Sequence, residues 1–89
     1  PQMSLREQQQ FLVEGLPSVS SVLAKRLLYN FGNIKDIANA SVEELTEVKG
    51  IGKQIAKEIV NLFNKEYLND WFFPKYFYLK PLYSAESIK

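Results

Sequence analysis

The sequence predicts an all-α protein. Three observations carry that expectation. Apolar residues recur at helical spacing, polar caps stand in front of the apolar runs, and one stretch of chain repeats another 32 residues later. No segment alternates for long with a strand's period of two. At 89 residues, 46% apolar and 24% charged, the chain has the size of one small domain. Chains this short bury only about two-thirds of their unfolded surface and seldom divide further.

The helices follow in order. Ser4-Leu5-Arg6-Glu7 has the form of a capping box, in which the Ser oxygen accepts from the third helical amide and the Glu reaches back to the cap amide. The helix it opens should run to about Glu14, with Gly15 as a left-handed C-terminal cap and Pro17 as a stop. Leu23, Ala24, Leu27, Leu28 and Phe31 share one face of a second helix, ended by Gly32 in the left-handed region. Asn33 with Asp36, then Ser41 with Glu44, mark two further starts, each a cap followed by an acid three residues on. Ile55, Ala56, Ile59, Leu62 and Phe63 give the apolar face of a last helix from about Lys53 to Lys65. That makes about five helices in residues 1–67, followed by an aromatic, non-helical tail over 68–89.

The repeat sets Leu16 to Leu28 over Val48 to Val60. Apolar residues match at 16/48, 19/51, 23/55, 24/56, 27/59 and 28/60, and Lys25 falls on Lys57. Each copy is a tight turn, one apolar residue inside it, and a helix with a small Ala on its buried side. Another helix precedes each turn, with turns at about 16–20 and 48–52. The pattern is a tandem helix-hairpin-helix, (HhH)2.

Composition removes several chemistries. With no Cys and no His, the chain cannot build a disulfide scaffold, a zinc finger, an iron–sulfur cluster or a Ser/His/Asp or Cys/His nucleophile. It has no Asp-rich loop for a carboxylate metal site, so no catalytic residue, metal or cofactor is expected. Apolar runs are too short for a membrane span or a secretory signal, which points to a soluble intracellular protein. The missing initial Met points to a fragment of a longer one. Eleven basic against ten acidic residues leave a net charge of +1, so nucleic-acid binding would rest on local placement rather than bulk charge.

Local placement is favourable at Gly50-Ile51-Gly52, immediately before the last helix. Glycines open backbone conformations closed to other residues, and Ile51 should plug inward and anchor the turn. The first helical amides, at Lys53 and Gln54, have no intrahelical acceptor and point outward at the positive end of the dipole. Such a cradle suits a phosphate. Lys53 and Lys57 oppose the dipole by about 0.3–1 kcal/mol each unless an anion docks there, though each is otherwise an ordinary solvated side chain.

The first turn has Ser18-Val19-Ser20 instead. Ser enters positive φ at a cost, so this hairpin should hold a different turn, bind more weakly or use its hydroxyls in place of an amide. Lys25 and Arg26 stand ready for backbone contacts. Two such hairpins could grip both strands across a minor groove, reading shape rather than sequence.

These residues resemble the C-terminal tandem helix-hairpin-helix domain of the XPF/Hef structure-specific endonucleases, most closely the archaeal members. The resemblance runs from Arg6-Glu7-Gln8-Gln9 through Leu16-Pro17, Ala24-Lys25-Arg26-Leu27-Leu28, Phe31-Gly32 and Glu43-Glu44-Leu45. It continues through Val48-Lys49-Gly50-Ile51-Gly52 and Ile55-Ala56 to Tyr67, about two-thirds of the chain. It implies binding of branched, fork or flap DNA beside a separate nuclease domain, whose Glu-Arg-Lys metal motif is absent here, so this piece should not cut. It also implies a homodimer, with Tyr67 in the position of an aromatic that packs into the partner, and the interior of an archaeal cell (the nucleus, if eukaryotic). The first turn departs from the family, whose archaeal members usually carry glycine there.

An excess of apolar surface on one small helical domain agrees independently with association. Phe31 and Phe63 are expected inside the monomer, with Phe63 also a candidate for the interface beside Tyr67. Residues 71–83 hold seven of the twelve aromatics, and Pro74 and Pro81 interrupt any helix there. That stretch should cover its own domain or a second subunit, stack single-stranded bases on its rings, which are interleaved with Lys75 and Lys80, or dock a partner. Leu68, Trp71 and Phe72 have the spacing of a sliding-clamp (PCNA) box, with Lys65 where Gln is usual.

Two rival functions stand beside the DNA-binding one. A protein-interaction module with degenerate hairpins would account for the near-neutral charge. A glycosylase fragment would share the Leu16-Pro17 start, with Asp36 as its acid, but the chain is too short to enclose a flipped base.

Overall fold

The structure is a computed structural model that describes residues 2–67. Five helices follow one another: α1 (Leu5–Glu14), α2 (Ser21–Phe31), α3 (Ile34–Ala38), α4 (Val42–Thr46) and α5 (Lys53–Asn64). The described residues contain no strand. The expectations placed on the tail, including the clamp box at Leu68, Trp71 and Phe72, lie outside the described residues.

Local chemistry starts the helices where the sequence expects. Ser4 and Ser41 form complete capping boxes: Glu7 N–H donates to Ser4 Oγ at 3.1 Å, and Glu44 N–H to Ser41 Oγ at 3.1 Å. Asn33 Oδ1 accepts from the Asp36 amide at 2.7 Å to open α3, which holds Asp36 as a helix-cap acid. Ser20 caps α2 by accepting from Leu23 N–H at 3.2 Å. Gly32 ends α2 at φ 86, the left-handed turn the sequence predicts.

Gly15 differs from expectation. It stays right-handed at φ −76, and its amide donates back to Leu12 and Val13. The chain tightens there and takes its left-handed step three residues later, at Ser18. Lys65 likewise lies just past α5 in extended backbone, one residue short of the expected end.

α1 packs on α2, α4 on α5, and α3 joins the two hairpins while resting against α2. The core takes equivalent residues from both copies. Leu16 and Val48, Val19 and Ile51, Ala24 and Ala56, and Leu27 and Ile59 are all buried, with Ile37 and Ala40 closing the middle. The repeat extends one step further upstream than the sequence comparison reached, because Val13 and Leu45 are also an equivalent buried pair. Alanine at 24 and 56 is fully buried, so neither position has room for a larger side chain. Phe31 packs against the core as expected, whereas Phe63 is more than a third exposed, at 38%.

Candidate nucleic-acid interface

The two turns share one hydrogen-bonding pattern. Val19 N–H donates to Leu16 O at 3.2 Å, and 32 residues on Ile51 N–H donates to Val48 O at 3.0 Å. Ala24 N–H reaches Ser20 O at 2.8 Å, matched by Ala56 N–H to Gly52 O at 2.9 Å. The N-caps agree closely: Ser20 has φ −81 and ψ 175, Gly52 φ −85 and ψ 177. Val19 and Ile51 both plug inward, at 8% and 3% exposure.

This geometry corrects two expectations. The first turn does not adopt a different conformation: Ser18 enters the left-handed region at φ 61, beside Gly50 at φ 96 in the second. Tertiary packing overrides the local preference, at a cost of about 1–2 kcal/mol for a residue with a Cβ. The two glycines of the second turn also differ in purpose. Gly50 needs its freedom, since a Cβ there would lie 2.6 Å from Leu23 Cδ2. Gly52 occupies backbone open to any residue, and a Cβ on it would meet nothing within 4 Å.

What Gly52 contributes is the absence of a side chain. Ser4, Ser20, Asn33 and Ser41 each fill an amide of their helix with a side-chain oxygen, whereas α5 has no side-chain cap bond. Among the described residues nothing accepts from the amides of Gly52, Lys53, Gln54 or Ile55. Four donors therefore converge at the positive end of a twelve-residue helix. Lys53 and Lys57 are exposed beside them. The Gln54 side chain is engaged elsewhere, donating to Glu58 Oε2 at 3.2 Å, so only its backbone faces the cradle.

At the first hairpin the Ser20 oxygen occupies the Leu23 amide, the counterpart of the open Ile55 amide. Lys25 is exposed, but Arg26 is half-buried and its Nη1 donates to the carbonyl of Lys49 in the second turn at 3.0 Å. The expected placement of Arg26 as a free phosphate ligand does not match that contact. α2 lies directly against the second turn, so the two hairpins form one continuous surface.

A second feature lies elsewhere on the molecule. Leu12, Leu16, Ile34, Ile37, Leu62 and Phe63 line an apolar groove of about 310 Å³ between α1, α3 and the end of α5. Leu5, Phe11 and Leu12 extend the exposed apolar surface along α1, and Tyr67 is 87% exposed just past α5. The sequence singles out Phe63 by its helical spacing and Tyr67 by the family resemblance, but not Leu12 or Ile34 as walls of a groove. Among the described residues no cluster of acids could hold a metal ion, and no helix is long and apolar enough to cross a membrane.

Comparisons with known proteins agree with this architecture. The helix-hairpin-helix motif family matches residues 10–71. A Methanocaldococcus jannaschii protein named as a candidate ATP-dependent RNA helicase is 48% identical over 65 residues, covering 73% of this chain and 8% of its own. The 3′-flap repair endonuclease Xpf of Saccharolobus solfataricus is 41% identical over 64 residues, covering 72% of this chain and 27% of its own. The solved structure of XPF from Aeropyrum pernix in complex with DNA superposes with a TM-score of 0.70 at 31% identity, over 73% of this chain and 32% of that one. The chain thus spans well under a third of these two relatives' length. With two equivalent hairpins in its fold and the family match across most of its length, this chain belongs to the helix-hairpin-helix family, in the tandem form found in archaeal XPF.

Proposed function

We propose that residues 1–67 form a non-catalytic DNA-binding module of an XPF/Hef-type repair nuclease, holding branched or fork DNA by its phosphates without reading sequence. The observation that carries this reading is the uncapped start of α5, where four open amides meet Lys53 and Lys57. At each of the other four described helix starts a Ser or Asn oxygen fills one first-turn amide, and among the described helices α5 alone has no such cap. The relative solved with DNA shares the fold at 31% identity. The second hairpin is the principal contact through Gly50, Gly52 and the α5 amides. The first contributes Lys25 and the amides of its own turn, with Ser18 and Ser20 close to the phosphates.

The apolar groove favours a homodimer, with Phe63 and Tyr67 at the interface. A sliding clamp docked through Leu68, Trp71 and Phe72 is a further partner suggested by the sequence of the tail.

Anisotropy titrations with splayed-arm and plain duplex DNA across a salt series test the main reading. Wild type should prefer the splayed arms. Lys53→Glu/Lys57→Glu should abolish that preference and flatten the salt dependence, since each lost phosphate contact lowers the slope by about one. A wild type that binds neither DNA would refute the proposal and favour the protein-interaction module.

A further inference from the structure

We infer that Arg26 is a positioning residue: it ties the first hairpin's helix to the Lys49 carbonyl and thereby aims the Gly50 amide of the second hairpin. The inference rests on the second turn being the phosphate site. Arg26 Nη1 donates to Lys49 O at 3.0 Å, across a sequence separation of 23 residues. The same nitrogen would lie 3.1 Å from a Cβ at Gly50, and Leu23 Cδ2 closer still at 2.6 Å. A guanidinium and a methyl from one helix therefore both lie against the Lys49–Gly50 step of the other hairpin.

That peptide unit is planar and trans, so its carbonyl and the following N–H point in opposite directions. Holding Lys49 O toward α2 holds the Gly50 N–H away from α2. No described residue accepts from that amide. Gly50 sits at φ 96, where a glycine has more freedom to rotate than any other residue, so a fixed carbonyl has most to add here.

The tie runs one way. The repeat places Glu58 opposite Arg26, and a carboxylate has no proton to give to the carbonyl of Pro17, the counterpart of Lys49. Glu58 instead accepts from Gln54 Nε2 at 3.2 Å. The turn with Gly50-Ile51-Gly52 is thus braced from outside, and the turn with Ser18-Val19-Ser20 is not. Lys25, one residue before Arg26 and exposed, is the side chain of this pair left to meet a phosphate.

Arg26→Met keeps an unbranched apolar stem of similar length and removes the donor; Lys25→Met is the comparison. In the DNA-free protein, Arg26→Met should shift the Lys49 carbonyl carbon and the Gly50 amide resonances, and Lys25→Met should leave both in place. With splayed-arm DNA, Arg26→Met should weaken binding about fivefold to tenfold with little change in salt slope, whereas Lys25→Met should lower the slope by about one. Unmoved Lys49 and Gly50 resonances would overturn the brace, whatever the DNA results. A slope lowered by one in Arg26→Met would overturn it too, making Arg26 a direct phosphate contact. Loss of DNA binding by wild type would remove the proposed function, yet the DNA-free resonances would still report the brace.

Discussion

At position 52 the proposed phosphate site predicts that helix stability and DNA binding pull in opposite directions. Its backbone, at φ −85 and ψ 177, is that of a serine cap, and Ser20 fills the equivalent place with its oxygen on Leu23 N–H. Gly52→Ser should therefore fit without strain and cap Ile55 in the same way. A Ser cap exceeds Gly by only a few tenths of a kcal/mol, which for a domain of this size raises Tm by about 1–3 °C. DNA affinity should move the other way, by about tenfold. The new oxygen would take an amide meant for phosphate, and a hydrogen bond to a charged group contributes about 1.5–3 kcal/mol. Gly52→Ala, with a Cβ but no acceptor, should bind close to wild type. A thermal melt and an anisotropy titration on the three proteins check this, and undiminished affinity in Gly52→Ser would count against the open amides as the site.

At the scale of the element, the two hairpins offer a controlled comparison, because Ser18 and Gly50 occupy the same left-handed position. Ser18→Ala exchanges one residue with a Cβ for another and should change stability little. Gly50→Ala adds the left-handed cost of about 1–2 kcal/mol, partly offset by a less flexible unfolded chain. It also presses on Leu23, which packs against the core. Gly50→Ala should lie about 1–2 kcal/mol below Ser18→Ala, a difference of about 4–16 °C in Tm. Equal melting temperatures would mean that the second turn relaxes freely. The helices themselves were legible in the sequence because their signals are local: a cap oxygen, an acid three residues on, an apolar face. The equivalence of the turns was less so, since propensity argues against Ser18 at positive φ and only the surrounding packing, through Val19 and Ala24, enforces it. The Arg26 bond to Lys49 was not legible at all, because residues 26 and 49 meet only once the hairpins are assembled.

On the scale of the whole molecule, the charged and apolar surfaces occupy different places. The open amides stand at the start of α5, while the groove takes in its last turn, at Leu62 and Phe63, beside α1 and α3. A helix of twelve residues rises about 18 Å, so a partner in the groove would leave the amides clear. Leu12 and Tyr67, 61% and 87% exposed, contribute little to the monomer's core, and both belong to the apolar surface. Introducing charge at Leu12 should spare the fold and penalise any contact that buries it. Leu12→Glu and Tyr67→Ala should each weaken self-association at least tenfold, about 1.4 kcal/mol, in sedimentation velocity over a concentration series. Circular dichroism should stay that of wild type. If two modules are needed to grip a branched substrate, the same variants should lose affinity for splayed-arm DNA only below the concentration at which wild type dimerises. A wild type that is already monomeric throughout that range, or variants with its unchanged profile, would remove the groove from the dimer interface and leave it to a different partner.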